Sequence, residues 1–204
     1  MSDTSGLGDP ALGLLEFSSI AMGIVAGDAM AKSSPISSLY AGTVHPGRYL
    51  VLVGGDTASV ETALESGGAN SLVDELLLPN VHPEVIAAIT TFDDTALVDG
   101  DALGIVETST AASAIIAADA GVKAADVALL TIRLSDDLGG KAYCVFAGTV
   151  ADVEAAIERA VEGSEQRGNL VGTAVVPQLH HEMRDNLAAE LRFNHHLRRR
   201  DGGG

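Results

Sequence analysis

The stretch ALGLLEFSSIAMGIVAGDAMAKSS at residues 11–34 returns, with substitutions, as ALGIVETSTAASAIIAADAGVKAA at residues 102–125. Aligned without a gap, the two stretches are identical at 11 of 24 positions. Self-similarity at a fixed spacing is the sequence signature of a duplicated structural unit. The chain is therefore predicted to contain two copies of one fold.

The similarity continues to the end of each copy. Residues 72–84, LVDELLLPNVHPE, align with residues 170–182, LVGTAVVPQLHHE, so both copies keep a Pro and, three residues later, a His. We predict a first domain at residues 10–93 and a second at residues 101–193. The stretch 93–100 is polar at both ends and finishes in Gly, which is typical of a short linker.

Each copy predicts the element order β-α-β-β-α-β followed by a terminal helix. The opening apolar runs favour strands, and the Ala-rich segments 18–33 and 109–124 favour helices, with Ser18/Ser19 or Ser109/Thr110 as caps. The second helices are predicted to begin after Asp56 and Thr149. The fold class is thus α/β (α+β), with two ferredoxin-like sheets that carry helices. The other predicted strands are 36–44, 49–53 and 76–78 in the first copy and 127–134, 142–146 and 175–176 in the second.

The composition excludes several classes of function. The formal net charge is −16, whereas nucleic-acid binding needs clustered Lys and Arg. The one basic cluster, residues 198–200, lies in the segment 194–204, which ends in three Gly and is predicted to be a flexible, solvated tail. The single cysteine, Cys144, excludes an intrachain disulfide, and its apolar strand predicts a buried structural thiol.

No segment of the sequence predicts a membrane or secretion signal. A continuous apolar run of 18 or more residues is absent, and the first residues lack the basic and apolar regions of a signal peptide. We therefore expect a soluble, cytoplasmic protein.

Catalytic motifs are also missing. The stretch Gly139-Gly140-Lys141 lacks the other residues of a phosphate-binding loop, and no Gly-x-Ser-x-Gly elbow occurs. Glu16 and Glu107 recur at strand ends, where they could act as acids or bases, but their duplication with the fold favours a structural role. We expect no catalytic activity and no cofactor.

The ordered set of repeated features resembles the bacterial microcompartment shell domain. The features are the opening ALG strand, the helix with Asp28 or Asp119 and its closing Lys32 or Lys123, the Gly-containing loop between the second and third strands, and the final Pro-x-x-His. The resemblance implies the tandem, non-permuted, single-disc class, in which three chains form a pseudo-hexameric tile. It also implies hexameric and pentameric shell proteins as partners and a place in a shell in the cytoplasm.

The same resemblance implies a central pore for small polar metabolites. Asp136 and Asp137 would then place up to six carboxylates near the axis, which would repel anions, although a solvated acidic turn is the alternative. Arg48 and Lys141 flank these loops. The implied pore-lining residues are Thr43, Val44, His45, Pro46 and Gly47 in the first copy and Ser135, Asp136, Asp137, Leu138, Gly139 and Gly140 in the second.

Tile-edge residues follow from the resemblance as well. Lys32 and Lys123 would meet the next tile, whereas a lysine that complements the helix dipole is the alternative. Shell domains often carry an Arg between the Pro and the His, but Asn80 and Gln178 stand there in this chain. The implied edge set is Lys32, Lys123, Asn80, His82, Gln178 and His180.

His45 stands where some tandem relatives carry a Cys that binds an iron–sulfur cluster. The change argues against such a cluster, because its usual ligands are thiolates. Three symmetry-related His45 side chains would suit Zn²⁺, although a surface loop residue that binds no metal is the alternative, and no metal is assigned. The rival functional class is a trimeric small-ligand-binding or signalling protein, which would not form tiles.

Overall fold

The computed structural model describes residues 10–68, 70–90 and 102–188. The predicted linker at 93–100 and the predicted tail at 194–204 lie outside the described residues. The end of the predicted second domain, from residue 189 onward, lies outside them too.

The first domain follows the predicted element order. Its elements are β1 (Ala11–Phe17), α1 (Ile20–Ser33), β2 (Ser38–Val44), β3 (Arg48–Gly55), α2 (Thr57–Gly67), β4 (Leu72–Leu78) and α3 (Pro83–Thr90).

The second domain repeats that order. Its elements are β5 (Ala102–Thr108), α4 (Ala111–Ala124), β6 (Ala128–Leu134), β7 (Ala142–Gly148), α5 (Val150–Gln166), β8 (Leu170–Val176) and α6 (His181–Ala188).

Both sheets have the same antiparallel topology, which confirms the duplication. The strand orders are β2-β3-β1-β4 and β6-β7-β5-β8, so the opening strand of each copy lies inside its sheet. The pairing of β1 with β4 shifts register at Glu16/Phe17, and that of β5 with β8 shifts at Glu107/Thr108. Even this local irregularity is therefore repeated.

Side-chain caps fix where the long helices begin. The hydroxyls of Ser19 and Thr110 accept hydrogen bonds from backbone N–H groups in the first turns of α1 and α4, so the second residue of each predicted pair is the cap. Asp56 and Thr149 cap α2 and α5 as predicted.

Glycine in each opening strand lets a helix lie close to the sheet. A Cβ at Gly13 would stand 2.8 Å from Val60 Cγ1, and one at Gly104 would stand 2.6 Å from Val153 Cγ1. Both distances are shorter than packed carbon atoms tolerate. The repeated Gly therefore sets the separation between each sheet and its second helix.

The fourth strands are longer than predicted. The expectation for β4 was residues 76–78, but the strand begins at Leu72 and includes Asp74 and Glu75. Two consecutive acidic residues interrupt the apolar run, which made the strand look shorter. In the structure Asp74 is buried and its carboxylate is bound by the second domain.

The two domains share a hydrophobic core that is centred on α4. In that core Leu14 and Leu52 from the first sheet join Ile115 of α4 and Phe146 of the second sheet. Helix α4 thus packs on its own sheet and against the first domain at the same time. The small residues Ala112 and Ala118 of α4 are fully buried, whereas Ala21 in α1 is exposed.

Cys144 is buried in β7, as its apolar surroundings predicted. Burial raises the pKa of its thiol to about 12. The thiol is therefore uncharged, and the side chain packs in the core from a strand that contacts α4.

Candidate functional site

The contact between the two domains contains a buried polar network around Asp74. Its carboxylate accepts hydrogen bonds from Thr110 Oγ1 at 2.6 Å and Ser113 Oγ at 2.9 Å, both in the N-terminal region of α4. Arg167 Nη1 and Asn169 Nδ2 donate to it from 2.7 and 3.0 Å. A buried carboxylate needs such partners, and here every one of these four donors belongs to the second domain.

Glu16 forms a second polar link across the same contact. Its Oε2 accepts the backbone N–H of Ala111, in the first turn of α4, and its Oε1 lies 2.5 Å from Arg48 Nη1. Burial raises the pKa of the Glu16 carboxyl, while Arg48 and the N–H of Ala111 oppose the rise. The helix N-terminus also favours a negative charge here. These contacts give Glu16 the structural role that its duplication predicted.

Predicted edge residues of opposite domains meet along this contact. Lys123 Nζ binds its helix neighbour Asp119 at 2.6 Å and also the carbonyl oxygen of Asn80 at 2.5 Å. The backbone N–H of His82 donates to Asp119 Oδ1. Three of the six residues assigned to the edge are therefore in contact at the domain boundary.

The other three predicted edge residues belong to surfaces of opposite domains. Lys32 forms the same ion pair with Asp28 that Lys123 forms with Asp119, but its side chain is 73% exposed. Gln178 and His180 are exposed at the end of the second domain. His180 directly precedes α6. Its ring lies beside that of His181, with centroids 4.3 Å apart.

The predicted pore loops of the two domains lie side by side. Arg48 Nη1 donates to the carbonyl oxygen of Gly140, and Asp137 N–H donates to His45 Nδ1. Thr43 and Val44 end strand β2, whereas His45, Pro46 and Gly47 form the exposed turn after it. In the second loop Ser135 and Gly140 are buried, Leu138 is half-buried, and Asp136, Asp137 and Gly139 are exposed.

The second domain has an open apolar cavity where the first domain has a covered sheet face. The cavity volume is about 350 Å³, and the sheet contributes Ile105, Tyr143 and Val145 to its lining. The cross-strand pair Ile105–Val145 corresponds to Leu14–Leu52 of the first domain, which is buried in the shared core. The rest of the lining is Leu103, Glu107, Val176, Leu179, Met183 and Leu187.

Sequence reasoning missed the residues that hold the domains together. Asp74 has no acidic counterpart, since Gly172 stands at its place in the second copy, and it was not assigned a role. Acidic residues within an apolar run that continues on both sides were the signal that could have drawn attention to it. The partners Ser113, Arg167 and Asn169 carry no motif, and only the tertiary fold brings them together.

These observations define a class of protein. One chain contains two copies of a domain. Helix α4 of the second copy packs against the first copy. The corresponding helix of the first copy, α1, and the corresponding surface of the second copy are exposed. A protein of this class can associate with further copies through those surfaces.

A family comparison identifies the class more closely. The model of the BMC domain matches residues 11–81 and again residues 102–179. The chain belongs to this family, as a tandem BMC-domain shell protein.

Relatives of the chain are similar along most of its length. It is 42% identical over 176 residues to the bacterial microcompartment shell protein PduT of Citrobacter freundii, which covers 85% of this chain and 95% of that protein. It is 27% identical over 194 residues to the carboxysome assembly protein CcmO of Synechocystis sp., covering 88% of this chain and 65% of that protein.

Solved structures have the same fold. A microcompartment protein from Desulfitobacterium hafniense DCB superposes with a TM-score of 0.76 at 40% identity, covering 86% of this chain and 98% of that one. A fused permuted hexameric shell protein of the RMM microcompartment has a TM-score of 0.55 at 19% identity, covering 76% of this chain and 81% of that one. The second likeness concerns the fold alone.

Within the described parts of the chain, none of the helices combines the length and the apolar character that crossing a membrane requires.

Proposed function

We propose that the protein is a structural tile of a bacterial microcompartment shell, in which three copies form a pseudo-hexameric ring around a pore. Membership of the BMC-domain family and the similarity to a named shell protein support the shell role. Those relatives are named for structural and assembly roles, so the protein acts without catalysis, in the cytoplasm where such compartments form. The ring rests on one observation, which is the contrast between α1 and α4.

The two repeated helices differ in what covers them. Ile115 of α4 is fully buried in the contact with the first domain, whereas Ile24, its aligned counterpart in α1, is 54% exposed. Val25 is 60% exposed beside it. A helix built to the same pattern thus presents its apolar face to solvent in the single chain. That face is complementary to the open apolar cavity of the second domain in another copy.

Polar groups at the two surfaces support the same pairing. Asp28 and Lys32 on α1 repeat the pair that binds the N–H of His82 and the carbonyl oxygen of Asn80. In the second domain the corresponding donor and acceptor are the N–H of His180 and the carbonyl of Gln178. An intermolecular contact that copies the intrachain one would satisfy all of these groups.

Glu107 supports this pairing at the opposite end of the helix. Its carboxylate lies 2.8 Å from Lys141 Nζ and is exposed, as Glu16 would be without α4. In the copied contact it would accept the N–H of Ile20 at the start of α1, as Glu16 accepts that of Ala111.

Such a contact is head-to-tail, because the second domain of one chain binds helix α1 of the next chain. Heterologous contacts of this kind close into rings when the rotation allows. With two equivalent domains in each chain, three chains place six domains around one axis, as the resemblance to tandem shell proteins implies. The loops at residues 43–48 and 135–141 would then line the pore, where Asp136 and Asp137 would favour neutral or cationic polar metabolites over anions.

The solution mass tests the ring. Light scattering is expected to give three times the chain mass of 20.8 kDa, independent of concentration in the working range. A monomer at all concentrations would leave both proposed contact surfaces uncovered, and a dimer would place only four domains around the axis, so either result would contradict the ring of six domains.

The tile-edge role of Lys32 and Lys123 has its own test. Replacing both by Ala is expected to abolish sheets or shells formed with hexameric and pentameric shell proteins, while the ring persists. Lys123 binds Asn80 within the chain, and Lys32 would bind Gln178 across the ring contact, so the solution mass of each variant is measured to show that the ring persists. Electron microscopy of assembled material reads out the result, and sheets of normal extent from the double variant would refute the edge role.

A further inference from the structure

Three side chains with metal-binding groups converge where the two predicted pore loops meet. His45 lies in the turn after β2, and Asp136 and Asp137 lie in the loop after β6. One ligand atom from each lies within 4.8 Å of those from the others, and all three residues are exposed. The cluster is intrachain, so it requires no second copy of the protein.

The imidazole presents one nitrogen to both carboxylates. His45 Nδ1 lies 3.3 Å from Asp137 Oδ1 and 3.6 Å from Asp136 Oδ1. It also accepts the backbone N–H of Asp137 over 3.4 Å, which is long for a hydrogen bond, and a metal ion bound at this lone pair would replace that weak contact. Three electron-rich atoms therefore face one another, an arrangement that a bound cation stabilises.

The loops that carry these side chains are tied to each other. Arg48, which follows the His45 turn, donates to the carbonyl oxygens of Gly140 and Ser109 in the second domain. Gly140 has a φ of 90°, and a Cβ there would lie 3.0 Å from Pro46 Cδ, so its missing side chain permits the close approach. A site that spans two loops is preorganised when the loops are linked in this way.

We propose that His45, Asp136 and Asp137 bind one divalent transition-metal ion in each chain. One imidazole and two carboxylates suit Zn²⁺, Mn²⁺, Co²⁺ or Fe²⁺, and the exposure leaves further coordination positions for water. Three ligand atoms with metal–ligand bonds of about 2.0–2.2 Å lie at most about 3.8 Å from one another, so the exposed side chains need to move together by about 1 Å. The bound ion neutralises the charge of the two carboxylates.

This site differs from one ion shared by three His45 side chains on an axis. Its ligands come from a single chain and the expected stoichiometry is one ion per chain. If the ring of the proposed function forms, three such ions would surround the pore and remove the negative charge that repels anions. That consequence rests on the proposed function, whereas the binding itself does not.

Metal titration tests the proposal. Protein treated with EDTA and dialysed is titrated with Zn²⁺ by calorimetry, and with Co²⁺ by visible absorption, which reports the coordination number and geometry of the bound ion. We expect one ion per chain, and we expect His45→Ala or Asp137→Asn to weaken the affinity at least tenfold. The matched control is His181→Ala, which removes an exposed histidine next to His180 and is expected to leave the affinity unchanged.

Two outcomes would overturn the site. Equal affinity in the native protein and His45→Ala would mean that other groups bind the ion, and one ion per three chains would mean a site on the axis. The mass of each sample is measured in parallel, and the variant Ile24→Asp, whose charge on the exposed face of α1 is designed to prevent the ring, is titrated too. A native protein that is a single chain in solution but still binds one ion would refute the proposed assembly and leave the metal site intact.

Discussion

Replacing Ile24 by Asp is expected to convert the ring of three chains into single chains. In the proposed ring Ile24 enters the apolar cavity beside Ile105 and Val145, where a carboxylate would find no partner. An unpaired buried charge costs several kcal/mol, and the ring contains this contact three times. Because Ile24 is 54% exposed in the single chain, the substitution leaves the chain's own core unchanged.

Light scattering measures the change as a fall from three times 20.8 kDa to the mass of one chain. Val150→Asp is the matched control, since Val150 is a 39% exposed valine at the start of α5 and lies on neither proposed surface. It should keep the mass of the native protein. A ring of unchanged stability in Ile24→Asp would refute the assignment of α1 as the contact helix.

Removing the carboxylate of Asp74 is expected to cause the largest loss of stability. In Asp74→Ala the hydroxyls of Thr110 and Ser113 lose their acceptor, and Arg167 and Asn169 lose theirs at the same buried point. Removing one partner of a buried polar network costs about 3 kcal/mol. For a chain of this size that loss corresponds to a Tm lower by about 6–12 °C.

Thermal and urea unfolding measure this effect. Glu75→Ala is the matched control, because Glu75 is the next residue of the same strand but its side chain is exposed. Its expected change in the free energy of unfolding is within about 0.5 kcal/mol. Running Asp74→Ala in the Ile24→Asp background separates folding of the chain from ring assembly. Equal stability of the two alanine variants would show that the network contributes little.

Much of the fold could be predicted from the sequence because each copy gives a prediction of the element order that can be compared with that from the other copy. The capped helices, the opening strands and the Pro-x-x-His segments recur in the same order, and the structure confirms them as α and β elements in two identical topologies. The fourth strands were predicted too short, since Asp74 and Glu75 in β4 and Gly172 and Thr173 in β8 break the apolar pattern on which strand prediction depends.

The candidate sites were predictable only in part. Family resemblance pointed to the loops around His45 and Asp136, but their convergence joins residues 92 positions apart in the chain. Residues so far apart meet only through packing of complete domains, which no local pattern encodes. The same holds for the four donors that surround Asp74.

The sequence by itself determined the duplication, the element order and the membership of a shell-protein family. The reason is that the residues that govern local hydrogen bonding and apolar periodicity occur in the same order in both copies. Only the tertiary structure decided which helix of the repeated pair is buried and which is exposed. It buries α4 between two sheets and leaves α1 exposed, although the two helices belong to repeated sequences. The difference arises because α4 has the first domain beside it in the same chain, whereas the apolar face of α1 meets no second sheet in the described structure of one chain.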